Sequence, residues 1–212
     1  MLGKYIGQFK TDDRDGMTEN LAIVVVGGKY GFVDIAGKIV IEPRFDRAWS
    51  FENGFAKIEM NGKYGLIDKS GNVVVEPVFE DLSTYYEEMA TVTADGKMGY
   101  VDGKGKTAIP PQFDEAWPFF EGLARVKNGE KCFYIDKTGK EAFAAEFDDA
   151  WSFCEGLAAV KVDNRWGFIN HSGKIVIEPQ FDDVSSFDGE VARVVKANKG
   201  FYIDQSGKFV RE

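Results

Sequence analysis

The sequence predicts an all-β fold of tandem repeats, and three observations carry that expectation. The motif Lys-Tyr-Gly-Phe-Val-Asp ending at Asp34 returns as Lys-Tyr-Gly-Leu-Ile-Asp ending at Asp68. Related hexamers end at Asp102, Asp136, Asn170 and Asp204, each 34 residues after the one before, with no insertion or deletion. Runs beside these motifs alternate apolar and polar residues, the period of a half-buried strand. The 212 residues include 24 glycines and 18 phenylalanines, turn formers and aromatic fillers that suit sheets joined by tight turns. Each repeat is expected to be a three-stranded antiparallel meander plus an aromatic loop, and the repeats to stack as an elongated or superhelical β solenoid. The alternative is a closed propeller-like ring, which would use a fourth strand per blade; the connector looks too aromatic and too poorly alternating to supply one. Residues 1–212 read as a single repeat domain, with 1–20 a divergent N-terminal cap and about six repeats in 21–212.

The second repeat justifies the elements in order. Phe55-Ala56-Lys57-Ile58-Glu59-Met60 alternates apolar and polar, as a strand with one buried face does. Asn61-Gly62 follows, a strong hairpin signal because a type I′ turn needs φ > 0 at both central residues; Asp95-Gly96 is its equivalent. Tyr64-Gly65-Leu66-Ile67-Asp68 is the next strand. The Ile67 column holds only Val or Ile (Val33, Val101, Ile135, Ile169, Ile203), so it marks a buried sheet face. Asp68-Lys69-Ser70-Gly71 reads as a turn, as do residues 103–105. Val73-Val74-Val75-Glu76 is the third strand, ended by Pro77, which cannot donate to a ladder. Residues 78–87 connect to the next repeat and could open with a short 3₁₀ or α turn. The fourth repeat departs most: Phe133 stands for the box glycine, Ala145 for the proline and Glu141 for a Val or Ile. Local consistency is lowest there.

The aromatic-Gly-aromatic-Ile/Val-Asp box, as in Trp166-Gly167-Phe168-Ile169-Asn170, the Ser-Gly-Lys after it, and the Ile-Glu-Pro-x-Phe-Asp and Phe-x-x-Gly-Leu-Ala runs resemble the WG-repeat family of bacterial proteins. The likeness covers nearly the whole chain after residue 20. It breaks at Cys132-Phe133-Tyr134, which lacks the glycine, and at Gly200-Phe201-Tyr202, where the glycine comes one position early. The resemblance implies a type of fold more than an activity.

Composition narrows the function. A net charge of −9 argues against nucleic acid, whose phosphates are held by clustered Lys and Arg. No apolar run is long enough for a transmembrane helix, so no membrane insertion is expected. The start, MLGKYIGQFK, shows no apolar leader segment; a cytoplasmic location is expected if this N-terminus is native, an exported one if a leader was removed. Two cysteines and one histidine leave little scope for disulfides, a metal centre or a His-dependent triad. No cofactor and no metal are expected.

The repeated columns carry the candidate chemistry. An Asp in five of six equivalent positions, with Asn170 in the sixth, is a turn residue, not a catalyst. Trp49, Trp117 and Trp151 share a column with Ser83 and Ser185, and either staple neighbouring repeats over the box glycine or offer a platform for sugars or a partner. The neighbouring column (Phe51, Tyr85, Phe119, Phe153, Phe187) reads as core. Acidic pairs recur at Asp46-Arg47, Glu80-Asp81, Asp114-Glu115, Asp148-Asp149 and Asp182-Asp183. One member is expected to cap a turn, while Asp81, Glu115, Asp149 and Asp183 form a solvated face or a docking ridge for a basic partner. Lys29, Lys63, Lys97, Lys131, Arg165 and Lys199 form a second ridge at the hairpins. His171 reads as exposed and ordinary. The chain is therefore expected to be a non-enzymatic scaffold for protein–protein interaction, with carbohydrate or cell-surface binding through the aromatic row as the alternative.

Overall fold

The structure, a computed structural model, describes residues 18–83 and 85–211. The expected N-terminal cap falls outside the described residues up to position 17. Among the described residues there is no helix, and the strands form six antiparallel sheets. The first is β1 (Leu21–Val26), β2 (Lys29–Asp34) and β3 (Ile39–Phe45). The second is β4 (Arg47–Ala48), β5 (Phe55–Met60), β6 (Lys63–Asp68) and β7 (Val73–Phe79). The third is β8 (Asp81–Leu82), β9 (Met89–Ala94), β10 (Lys97–Asp102) and β11 (Thr107–Phe113). The fourth has only β12 (Glu115–Ala116), β13 (Ala124–Asn128) and β14 (Lys131–Ile135). The fifth is β15 (Asp149–Ala150), β16 (Leu157–Val162), β17 (Arg165–Asn170) and β18 (Ile175–Phe181). The sixth is β19 (Asp183–Val184), β20 (Val191–Lys196), β21 (Lys199–Asp204) and β22 (Phe209–Arg211).

The three-stranded meander is present, but the connector is not a plain loop. It adds a two-residue strand that pairs with the first long strand of the next repeat, Arg47 opposite Glu59 and Ala48 opposite Ile58. Four of the six sheets therefore have four strands. Among the described residues of the connectors no 3₁₀ or α turn forms. It ends instead in a second left-handed turn, with φ of 53° at Asn53 and 86° at Gly54. The hairpins fall where the sequence places them: φ is 54° and 73° at Asn61-Gly62, and 52° and 68° at Asp95-Gly96, as type I′ turns require.

The chain divides into two compact units, Met1–Pro111 and Gln112–Glu212. In the first, Phe32, Ile41 and Phe45 of one sheet pack on Ala56, Ile58 and Ile67 of the next, with Phe51 wedged among them. In the second, Tyr134 and Phe147 meet Ala158, Val160 and Ile169 around Phe153. The column of Phe51 is buried throughout. Each repeat thus covers the face that its neighbour cannot bury alone.

The box glycine is fixed by the third strand crossing it. A Cβ at Gly31, Gly99 or Gly167 would lie 2.5 Å from the carbonyl oxygen of Ile41, Ile109 or Ile177. The pairing of β6 with β7 shifts register across this contact, between Tyr64 and Leu66, and again between Leu66 and Ile67, so the bulge and the glycine are one device. Phe133 cannot admit that approach. In the fourth repeat the third strand is lost, and residues 141–147 pair with the backbone of β14 only through the bridges Cys132–Phe147 and Ile135–Glu141. Phe143 then covers Tyr134, ring centroids 5.6 Å apart.

Candidate functional site

The Asp ending each motif is a turn residue. Asp204 Oδ1 accepts from the N–H groups of Ser206 and Lys208 at 2.9 Å each. Asp34, Asp68, Asp102, Asp136 and Asn170 accept from the same two positions. The Ser206 hydroxyl, then the Lys208 N–H, holds the Asp204 carboxyl below the usual carboxylate range.

The first member of each acidic pair holds the hairpin that follows it. Asp46 accepts from the Asn61 N–H at 2.6 Å and from Lys29 Nζ at 2.5 Å. Asp182 accepts from the Ala197 N–H at 2.7 Å and pairs with Arg165. Asp148 takes Lys131 Nζ at 2.6 Å, and Lys131 accordingly draws the carboxyl below its ordinary value. The lysine ridge and these carboxylates are thus each other's counter-ions.

Three of the four second members predicted as a solvated face or docking ridge are also engaged. Asp81 meets Lys57 Nζ at 2.7 Å, Asp149 meets Arg125 Nη1 at 3.5 Å, and Glu115 meets Lys127 at 3.6 Å. The anomalous Arg47 is explained by its cross-strand neighbour Glu59, at 3.8 Å: the signs are exchanged together. Asp183, exposed like Asp81 and Glu115, is the one of the four predicted carboxylates that makes no ion pair among the described residues.

These ions converge on the tryptophan column. Lys57 Nζ lies 5.4 Å from the Trp49 ring and 4.3 Å from the Tyr64 ring, and Trp49 and Tyr64 are 5.9 Å apart. The Arg125 guanidinium lies 3.6 Å over Trp117 and also donates to the Ala150 carbonyl. Trp151 meets Trp166 edge-on, centroids 6.1 Å apart. Trp49 and Trp151 remain 40% and 37% exposed, so the column is neither core nor bare platform. Nor does it fill space over the box glycine, which the third strand covers. Where Ser replaces Trp, its hydroxyl accepts the cross-strand N–H instead: Ser83 from Thr91 and Ser185 from Arg193, both at 2.9 Å.

A row missed in the sequence lies at the connector turns. Glu19, Glu121 and Glu155 sit at φ of 51°, 53° and 54°, conformations disfavoured for a residue with a side chain. Each carboxylate accepts from the equivalent turn of the next repeat: Gly54 at 3.1 Å, Gly156 at 3.0 Å, Gly189 at 2.8 Å. A residue 50 positions on closes each group. Lys69 pairs with Glu19 at 2.8 Å, His171 with Glu121 at 3.2 Å, and Gln205 donates to the Glu155 carbonyl at 3.2 Å. His171 is exposed as expected but not idle, since it also stacks on Phe153 at 4.3 Å. Asn53-Gly54 was the available signal, a second hairpin dipeptide in the repeat.

No curated protein matches this sequence. The solved structures similar to this chain at low identity include the following three. One, titled as a eukaryotic initiation factor, is 12% identical with a TM-score of 0.55, covering 88% of this chain and 61% of that one. BamB from Moraxella catarrhalis is 13% identical with a TM-score of 0.48, covering 92% and 71%. Kluyveromyces lactis Hsv2p is 12% identical with a TM-score of 0.46, covering 88% and 71%. The model of the WG containing repeat matches residues 30–64, 64–97, 98–132, 133–166 and 166–199. With five tandem matches spanning most of its length, the chain belongs to the WG-repeat family.

Proposed function

We propose that the chain is a non-enzymatic scaffold that docks another protein through the tryptophans and ions that its repeats expose. The observation that carries this reading is the Trp117–Arg125–Asp149 group, a half-buried ring under a guanidinium held by a carboxylate. Trp, Tyr and Arg are the residues that dominate protein–protein hot spots. Exposed ion pairs such as Lys57–Asp81 stabilise a fold by only about 0–1 kcal/mol, so a partner's charges can replace them at little cost. The cations over Trp49 and Trp117 cover ring faces on which a sugar would stack, which favours a protein over a carbohydrate. The test is capture from the native source with the wild type and with the Trp49→Ala, Trp117→Ala, Trp151→Ala triple variant. A protein retained by the first and lost by the folded second supports the reading. Partners kept by the variant, or a glycan bound through the same rings, would overturn it.

For the arrangement of the repeats, the fourth strand removes the sequence-based objection to a propeller-like ring. A four-stranded meander completed by the preceding connector has the strand count of a propeller blade, and we favour that ring over the open solenoid. Small-angle X-ray scattering tests it, since an open stack would give a longer maximum dimension than a ring of six blades.

A further inference from the structure

Two of the three tryptophan gaps supply their own cation. In the first unit Lys57 lies over Trp49 and pairs with Asp81. In the second, Arg125 lies over Trp117 and pairs with Asp149. The repeat places Ala159 where those cations stand, Trp151 where the rings stand and Asp183 where the carboxylates stand. Trp151 is 37% exposed, and Asp183 is exposed with no ion pair among the described residues. Trp166 stands where Tyr64 stands in the second repeat, buried to 7% exposure and edge-on to Trp151 as Tyr64 flanks Trp49. Trp166 therefore brings a second ring to this place, as Tyr64 does beside Lys57, but no charge. Lys161 has its Nζ 5.8 Å from the Trp166 ring and makes no ion pair with Asp183.

We infer that this gap receives an arginine side chain from a partner, its guanidinium over Trp151 and paired with Asp183, in the place that Arg125 fills within its own repeat. The inference rests on reading the aromatic–ionic face as the docking face and names the chemistry of what docks there. Charge complementarity is its ground: a carboxylate and an exposed ring, equivalent to two sets that each hold a cation, are left without one.

The experiment titrates the full chain, ¹⁵N-labelled, with the peptide acetyl-Gly-Ser-Arg-Ser-Gly-amide and follows the four indole N–H resonances. The Trp151 and Trp166 signals should move saturably while those of Trp49 and Trp117 stay in place. Replacing the arginine by neutral, isosteric citrulline should weaken binding about tenfold, the scale of a ring contact plus an ion pair. Asp183→Asn should weaken it severalfold. The double variant Ala159→Arg, Trp166→Cys recreates the Arg–Cys pair of the fourth repeat and should abolish binding by filling the gap from within. If that variant misfolds, the exposed Asp183→Asn change keeps the test readable. Absence of a saturable shift at Trp151, equal binding of the citrulline peptide, or indifference to Asp183→Asn each overturns the inference. Should the peptide fail while the triple tryptophan variant still loses its captured partner, the inference falls and the docking reading stands. Should the triple variant keep every partner, the docking reading falls and takes the inference with it.

Discussion

Gly65 has no room for a methyl group, because the Val75 carbonyl of the third strand lies across it. The obstacle is backbone, which cannot turn aside as a side chain does. Gly65→Ala should therefore cost at least the ~1–3 kcal/mol of an overpacked core. Gly28→Ala, with open space but φ of 79°, should cost about 1 kcal/mol. Urea unfolding of the two variants separates close approach from backbone conformation. Phe51→Ala should cost about 3–5 kcal/mol by the same measurement, since its ring is wedged between two sheets. At this scale the core was legible and the ionic face was not. A wholly aromatic column at the Phe51 position announces burial. The contact of Lys57 with Trp49 and Asp81, in contrast, joins three columns whose spacing within the repeat matches no single element, and only folding brings them together.

The fourth repeat tests what the box glycine does for an element. With Phe133 in that place, residues 143–146 leave the sheet while both ends of the segment stay bridged. Amide exchange across 143–146 should be at least tenfold faster than across Val73–Phe79, read by mass spectrometry or NMR; equal protection would contradict the account. The weakness of this repeat was legible because three columns fail together in it. The two-residue strands were not, because a pair such as Asp81-Leu82 is too short for alternation to register. The turn dipeptide Asn53-Gly54 could have revealed the returning chain, had it been read as the end of a hairpin.

Across the whole molecule, carboxylates set the response to acid. Asp46, Asp136, Asp148, Asp204 and Glu19 are all held below their ordinary values, by hydrogen bonds from Lys29, Thr138, Lys131, Ser206 and Lys69 respectively. A carboxyl whose folded pKa is depressed adds stability that is complete above its unfolded value and is lost as pH falls through the folded one. Thermal stability should thus be flat above about pH 5 and decline below about pH 4, which a melting series by circular dichroism checks; a decline beginning near neutrality would point elsewhere. The left-handed glutamates bear on a different property, the range over which unfolding spreads. Glu155 holds an unfavourable conformation in its own repeat, and its carboxylate bonds reach Gly189 and Glu190 in the next, at 2.8 and 3.0 Å. The turn is thus penalised locally and stabilised by a neighbour, so it persists only while that neighbour is folded. In a one-dimensional array, trading intrinsic stability for coupling lengthens the stretch that melts as one event. Glu155→Gly should ease the turn yet broaden the denaturant transition, because fraying repeats would no longer bring their neighbours down with them.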